Sequence, residues 1–166
     1  MLGKLMKLMP GYRGYKKKEE RRETDRIVRE KAIRLLKESE DNMVSTLESA
    51  VNAGNKDLMK LIEKARGDIH NYITKIKTAE YGYTPGWNVV AIQEKLLEAT
   101  IACDSEIILM AQDLKEYTSD INSRAFSNED VTEQVRQVVK KMGDFRDKYQ
   151  ERIDIVSGTK QIIEME

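Results

Sequence analysis

The sequence predicts an all-α fold: an up-down antiparallel four-helix bundle of long helical hairpins with coiled-coil-like packing, preceded by a basic N-terminal arm. Three observations predict it. Apolar residues recur at alternating steps of three and four positions, only two prolines interrupt the chain, and charged residues (35%) far outnumber aromatic residues (6%). A chain of 166 residues suits one domain that needs neither disulfides nor metals to fold.

We expect three parts along the chain. They are a basic amphipathic arm at 1–22, a helical bundle at 23–157 and a C-terminal tail at 158–166. The predicted helices cover roughly residues 17–53, 56–80, 88–121 and 128–157. Short connections between helices of similar length favour antiparallel neighbours. The same heptad pattern also suits a long hairpin that completes its core in a dimer, so that alternative stays open here.

The first helix has apolar residues from Val28 to Val51, but they follow the heptad period less strictly than those of the later helices. The charged run 17–26 has helical propensity and no apolar face. A helical segment without an apolar face has nothing to bury. We therefore expect this run to extend the first helix beyond the bundle into solvent.

The second helix carries the strictest heptad repeat, from Leu58 to Ala79. Gly54 predicts the end of the first helix, and Asn55 predicts the N-terminal cap of the second helix. The third helix is indicated by a similar repeat from Val89 to Ile121.

The fourth helix is indicated by apolar residues that recur from Val131 to Tyr149, followed by Ile153 and Val156 after a shift of one position. The segment 127–130 is typical of a capping box before this helix, with Asp130 in place of the usual glutamate.

The arm and the rest of the chain have opposite net charges. Residues 1–22 hold eight basic and two acidic side chains, a net charge of +6, whereas 23–166 hold 21 basic and 27 acidic ones, a net charge of −6. In a helix, the leucines and methionines at the start of the arm share one face, beside lysines. The candidate contacts to a membrane or another anion are Leu2, Lys4, Leu5, Met6, Lys7, Met9, Arg13, Lys16, Lys17 and Lys18.

Three interpretations of the arm stay open. It packs on its own bundle or a partner subunit, or remains a disordered tail; it binds an anionic membrane surface through apolar and basic residues together; or it binds nucleic acid through its charge and its interleaved tyrosines. The acidic remainder of the chain would repel phosphates, so nucleic acid is the less favoured partner.

A second candidate contact is the loop 81–88, which holds two glycines, a proline and three aromatic residues. Aromatic side chains on such a loop suit a partner-binding patch. The alternative is that they cover the open end of the core. The candidate residues are Tyr81, Tyr83 and Trp87.

Residues that carry chemistry are scarce. The chain has one histidine, His70, and one cysteine, Cys103, which excludes a local zinc site and an internal disulfide. No acidic residue falls at the predicted inward positions of the second to fourth helices, and no glycine-rich phosphate loop is present. We expect His70 at a surface or boundary position, Cys103 as a small buried hydrophobe, and no catalytic residue, metal, cofactor or small-molecule substrate.

The predicted function is therefore that of a non-enzymatic helical interaction or scaffold protein that self-associates as a homo-oligomer or binds a protein partner. The first alternative is a peripheral membrane-surface protein anchored by 1–22, and the second is a basic-armed nucleic-acid binder. The longest apolar run is far short of the 20 or so residues that span a bilayer, and the first nine residues do not resemble a signal peptide. We expect a cytoplasmic protein, with membrane association as the alternative.

Overall fold

The computed structural model describes residues 1–79 and 93–157, except for the side chains of Lys18, Glu19, Gln93, Glu94 and Ser157. The described residues form five helices and no strand. The helices are α1 (Leu2–Leu8), α2 (Lys18–Asn52), α3 (Lys56–Thr78), α4 (Gln93–Phe126) and α5 (Thr132–Ser157). The all-α prediction is confirmed.

The four long helices pack as an up-down bundle. The short connections 53–55 and 127–131 make α2/α3 and α4/α5 antiparallel hairpins. Asn42 contacts Thr118, and Thr46, one turn later, contacts Asn122, so α2 and α4 run in the same direction. Helix α2 packs mainly against α3 and α4, and α5 also packs mainly against α3 and α4. Consequently α3 and α4, although consecutive in the chain, lie across the diagonal of the bundle.

The core runs through the whole bundle and closes within one chain. Most heptad residues of α3, α4 and α5 are buried together with those of α2 in one large apolar cluster, and Leu96, Cys103 and Ile155 form a small second cluster. At its centre the rings of Tyr72 and Phe145 meet edge to face, with 5.7 Å between centroids, and Tyr149 packs beside both. In the described residues the apolar faces of the four long helices thus cover one another within a single copy, and this core does not need a second copy to complete it.

The turn between α2 and α3 is the predicted one. Gly54 adopts a φ of +67°, a left-handed conformation that favours glycine. The side chain of Asn55 accepts a hydrogen bond from the Leu58 amide at 3.1 Å, which is the predicted cap.

The start of the last helix differs from the prediction. It begins at Thr132, and Asp130 accepts hydrogen bonds from the Thr132 amide at 3.0 Å and hydroxyl at 2.6 Å. The Ser127 hydroxyl instead donates to a carbonyl of α4, because α4 continues past the predicted end at 121 to Phe126. Asn128 turns the chain with a φ of +62°.

The run 17–26 does not project into solvent as predicted. Arg21, Thr24 and Asp25 are buried, because the arm folds back over this part of α2 and α5 packs beside it. The loop residues Tyr81, Tyr83 and Trp87 and the tail 158–166 lie outside the described residues. Among the residues that are described, no helix is both long and apolar enough to cross a membrane.

Candidate functional site at the docked N-terminal arm

The arm packs on its own bundle. The short helix α1 ends before Pro10, and the chain turns back through Gly11 and Gly14, whose φ angles are +90° and +77°. Both values lie in the left-handed region that favours glycine. The returning segment reaches α2, where the Thr24 hydroxyl donates a hydrogen bond to the Gly14 carbonyl at 2.8 Å.

The structure divides the predicted membrane or anion contacts into two groups. Leu5 and Met9 are completely buried, so the prediction that they contact a membrane is wrong. Their face of α1 is covered because it lies against the bundle core, into which Tyr12 and Tyr15 also insert. The exposed group is Leu2, Lys4, Met6, Lys7, Arg13, Lys16 and Lys17. The side chain of Lys18 is outside the described part of the chain.

A buried set of hydrogen bonds, here called the arm network, joins Tyr12, Tyr15, Asp25, Asp104 and Arg152. The hydroxyls of Tyr12 and Tyr15 donate to Asp104 Oδ2 at 2.8 and 2.6 Å. Arg152 donates from Nε to Asp104 Oδ1 at 2.6 Å, from Nη1 to Asp25 Oδ1 at 2.8 Å, and from Nη2 to the Tyr15 hydroxyl at 2.8 Å. The network therefore ties the arm to α2, α4 and α5 at once.

The charges of the arm network balance one another. Arg29 lies 3.7 Å from Asp25, so two guanidinium groups face the two carboxylates of Asp25 and Asp104. Burial favours the neutral form of Arg152, but the oxygens of Tyr15, Asp104 and Asp25 outweigh it and raise the pKa of Arg152 above its ordinary value. In the described part of the chain no buried side-chain nitrogen or oxygen lacks a hydrogen-bond partner.

The prediction that no acidic residue faces inward in the second to fourth predicted helices is wrong for the third, which is α4. Asp104 in α4 is completely buried, and Asp25 and Glu40 in α2 are also buried. Each is tolerated because a cation reaches it: Arg152 reaches both aspartates, and Arg66 lies 3.6 Å from Glu40. Each of these acids is thus paired with a cation, and residues 1–79 and 93–157 contain no cluster of three side chains suited to hold a metal.

The space beside the arm network is too small for a substrate. A cavity of about 70 Å³ is lined by Asp25, Arg29, Tyr149 and Arg152. Ligand sites typically measure roughly 300–1,000 Å³, and a water molecule occupies about 30 Å³. The cavity therefore has room for a few water molecules at most.

The two residues singled out as the sole histidine and the sole cysteine lie where predicted. His70 is exposed at the edge of the bundle, and its Nδ1 lies 2.9 Å from Glu40. Cys103 is buried, and burial raises the pKa of its thiol to about 11. A thiol with that pKa is almost entirely protonated near neutral pH, so it is a poor nucleophile.

The outer side of the docked arm is apolar and basic. Met1, Leu2 and Met6 are 74%, 39% and 50% exposed, and Lys4 and Lys7 lie on the same short helix. Beside them is an open groove of about 580 Å³ between the start of α1 and the first turns of α4. Its lining includes Met1, Leu2, Ala99, Ile101 and Ala102, together with Lys95 and Glu98.

The chain matches no protein-family model, no curated protein and no solved structure. Its candidate site is therefore defined by geometry: an arm fixed by buried contacts whose outer side is the surface that a partner could reach.

Proposed function

We propose that the protein is a non-enzymatic helical scaffold that self-associates, with the outer side of the docked arm as a contact surface. The observation that carries this proposal is the exposure of Met1, Leu2 and Met6 on a segment that is otherwise held firmly in place. Large apolar side chains that stay exposed together on a fixed surface are typical of interaction sites.

The fixed position of the arm supports this function. Four buried side chains and the arm network hold it, so a partner would meet a surface that is already ordered. Binding to an ordered surface avoids much of the entropy cost of immobilising a flexible segment. A disordered tail with the same sequence would bind more weakly.

The balance of buried charge also favours binding over catalysis. Active sites usually aim a titratable group with a perturbed pKa into a substrate-sized cleft. In the arm network the buried acids and the buried guanidinium group bond to one another instead, as Asp104 and Asp25 do to Arg152. The exposed predicted contacts of the arm are leucine, methionine, lysine and arginine side chains, which suit contact rather than reaction.

The test is sedimentation velocity from about 5 to about 200 µM. We expect the weight-average sedimentation coefficient of the wild type to rise with concentration. The double variant Leu2→Ser/Met6→Ser should weaken association by at least about tenfold, because burying each apolar side chain contributes roughly 1.5–3 kcal/mol. Val44→Ser is the matched control, since Val44 is 41% exposed on α2 and belongs to neither the arm nor its groove. A wild type that stays monomeric throughout would contradict the proposed function.

A second candidate, the anionic membrane surface, is favoured by one observation. Residues 1–17 contain Lys4, Lys7, Arg13, Lys16 and Lys17 and no acidic residue, and all five are exposed. Each basic residue near such a surface contributes about 1 kcal/mol, and Leu2 and Met6 could enter its outer layer.

Vesicle co-sedimentation tests this candidate. Binding to vesicles with about 30% phosphatidylserine, and none to neutral ones, should fall steeply with salt. It should be lost in Lys4→Glu/Lys7→Glu but kept in the control Lys56→Glu/Lys60→Glu, which makes the same charge change at the start of α3. Equal pelleting of both variants would contradict membrane binding by the arm.

Nucleic acid is the weakest candidate partner. The tyrosines interleaved with the basic residues, Tyr12 and Tyr15, would have to stack on bases, but both are completely buried. The charge of the arm remains, without the aromatic platform that the sequence suggested.

A further inference from the structure

The most exposed large apolar side chain in the described part of the chain lies at the end of the bundle opposite the arm, where Val51 is also 51% exposed. Phe126, the last residue of α4, is 84% exposed. The arm groove lies near 99–102 on the same helix, about 24 residues earlier. At 1.5 Å per residue, these two features are separated by about 36 Å along the bundle.

The turn that follows Phe126 is acidic. The turn 127–131 contains Glu129 and Asp130 and no basic residue. These two carboxylates line a shallow recess of about 250 Å³, whose lining includes no lysine or arginine. Arg124 lies 3.8 Å from Glu129 and also pairs with Asp120, so it compensates only part of this negative charge.

We propose that these two ends bind each other in successive copies of the chain. Phe126 of one copy enters the apolar groove beside the arm of the next, and Glu129 and Asp130 face Lys4 and Lys7. This inference rests on the proposed self-association and specifies its partner surfaces. One molecule carries both halves of the contact: a projecting aromatic residue that precedes an acidic turn, and an apolar groove beside the basic arm.

The charges of the two ends favour this arrangement over a symmetric one. A twofold contact between two arm ends would bring two basic surfaces together, and a twofold contact between two Phe126 ends would bring Glu129 and Asp130 of each copy together. Like charges oppose both contacts, whereas a head-to-tail contact pairs opposite charges. Because the two surfaces lie at opposite ends of an elongated bundle, repeating the contact gives an open linear assembly.

The groove is large enough for the proposed occupant. A volume of about 580 Å³ exceeds what one phenylalanine side chain fills, so neighbouring atoms of the turn can enter as well. A contact with one aromatic anchor and an exposed charged rim is expected to be weak, reversible and sensitive to salt.

Mixing two variants, each blocked at one end, tests the arrangement directly. Phe126→Ser lacks the projecting residue but keeps an intact groove, and Leu2→Ser/Met6→Ser has an altered groove but keeps Phe126. We expect each variant alone to associate at least about tenfold more weakly than the wild type in sedimentation velocity. Their equimolar mixture should form a heterodimer and no larger species, since one functional end remains on each chain.

The outcomes separate this inference from the proposed function. If Phe126→Ser associates as the wild type does, the head-to-tail contact is wrong while self-association stands. Failure of the mixture to form a heterodimer, in conditions where the wild type assembles, also overturns the contact. A monomeric wild type removes both proposals. Arm-dependent binding to anionic vesicles without any association in solution assigns the arm to a membrane and overturns the head-to-tail contact. Circular dichroism melting of each variant checks that it is folded.

Discussion

Replacing Asp104 with alanine should lower the free energy of unfolding by about 3–5 kcal/mol, because it leaves a buried arginine without its closest anion. Asp104 is completely buried and accepts hydrogen bonds from Tyr12, Tyr15 and Arg152. After the change, Arg152 keeps Asp25 and the Tyr15 hydroxyl, but two phenolic hydroxyls lose their acceptor. Urea denaturation followed by circular dichroism gives the difference.

The matched control is Asp113→Ala on the same helix. Asp113 also pairs with a cation, Lys141 at 2.7 Å, but its side chain is exposed. Exposed ion pairs contribute about 0–1 kcal/mol, so the control should change little. If Asp104→Ala cost less than about 1 kcal/mol, water would have to reach the network, and the arm would not be fastened as the structure shows.

The bundle itself could be predicted from the sequence because its signals are local. A heptad repeat places side chains on one face of a helix regardless of what covers that face. Gly54 and Asn55 end one helix and begin the next through contacts with residues only a few positions away. The prediction of the N-terminal cap of α5 is wrong because Ser127 and Asp130 are both reasonable capping residues. Only the continuation of α4 to Phe126 decides between them.

The heptad repeat of α5 contains one indication of the arm network. In α5 the steps of three and four continue through Phe145, Tyr149, Arg152 and Val156, all of them buried. Arg152 therefore occupies a core position, and the apparent shift to Ile153 arises from excluding a charged residue from the stripe. A charged residue in register with a heptad core indicates a buried ion pair somewhere in the fold.

The partners of Arg152 could not be predicted in the same way. Asp25 is 127 positions away in the chain and Tyr15 is 137 positions away. The helical period shows which residues share a face of a helix, but it does not show which helices become neighbours. In this bundle the consecutive helices α3 and α4 lie across the diagonal. The burial of Leu5 and Met9 has the same cause, since their cover comes from distant parts of the chain.

The two phenylalanines of the chain make a matched pair with opposite expectations. Phe145 is buried at the centre of the core, edge to face with Tyr72. Phe145→Ala should lower the free energy of unfolding by about 3–5 kcal/mol, because it removes a buried ring and leaves a cavity among packed aromatic side chains. Urea denaturation at low protein concentration measures this loss without a contribution from association. A loss below about 1 kcal/mol would mean that the aromatic cluster is not the centre of the core.

Phe126→Ala should change the free energy of unfolding by less than about 0.5 kcal/mol, since the side chain is 84% exposed. A loss above about 1 kcal/mol would show that Phe126 packs within its own chain, and it could not then serve as an anchor for another copy. A large effect at Phe145 and none at Phe126 would leave one aromatic residue with no role in folding. That residue lies beside an acidic turn, at the opposite end of the bundle from the apolar groove beside the basic arm. Its exposure is then best explained by a contact between molecules.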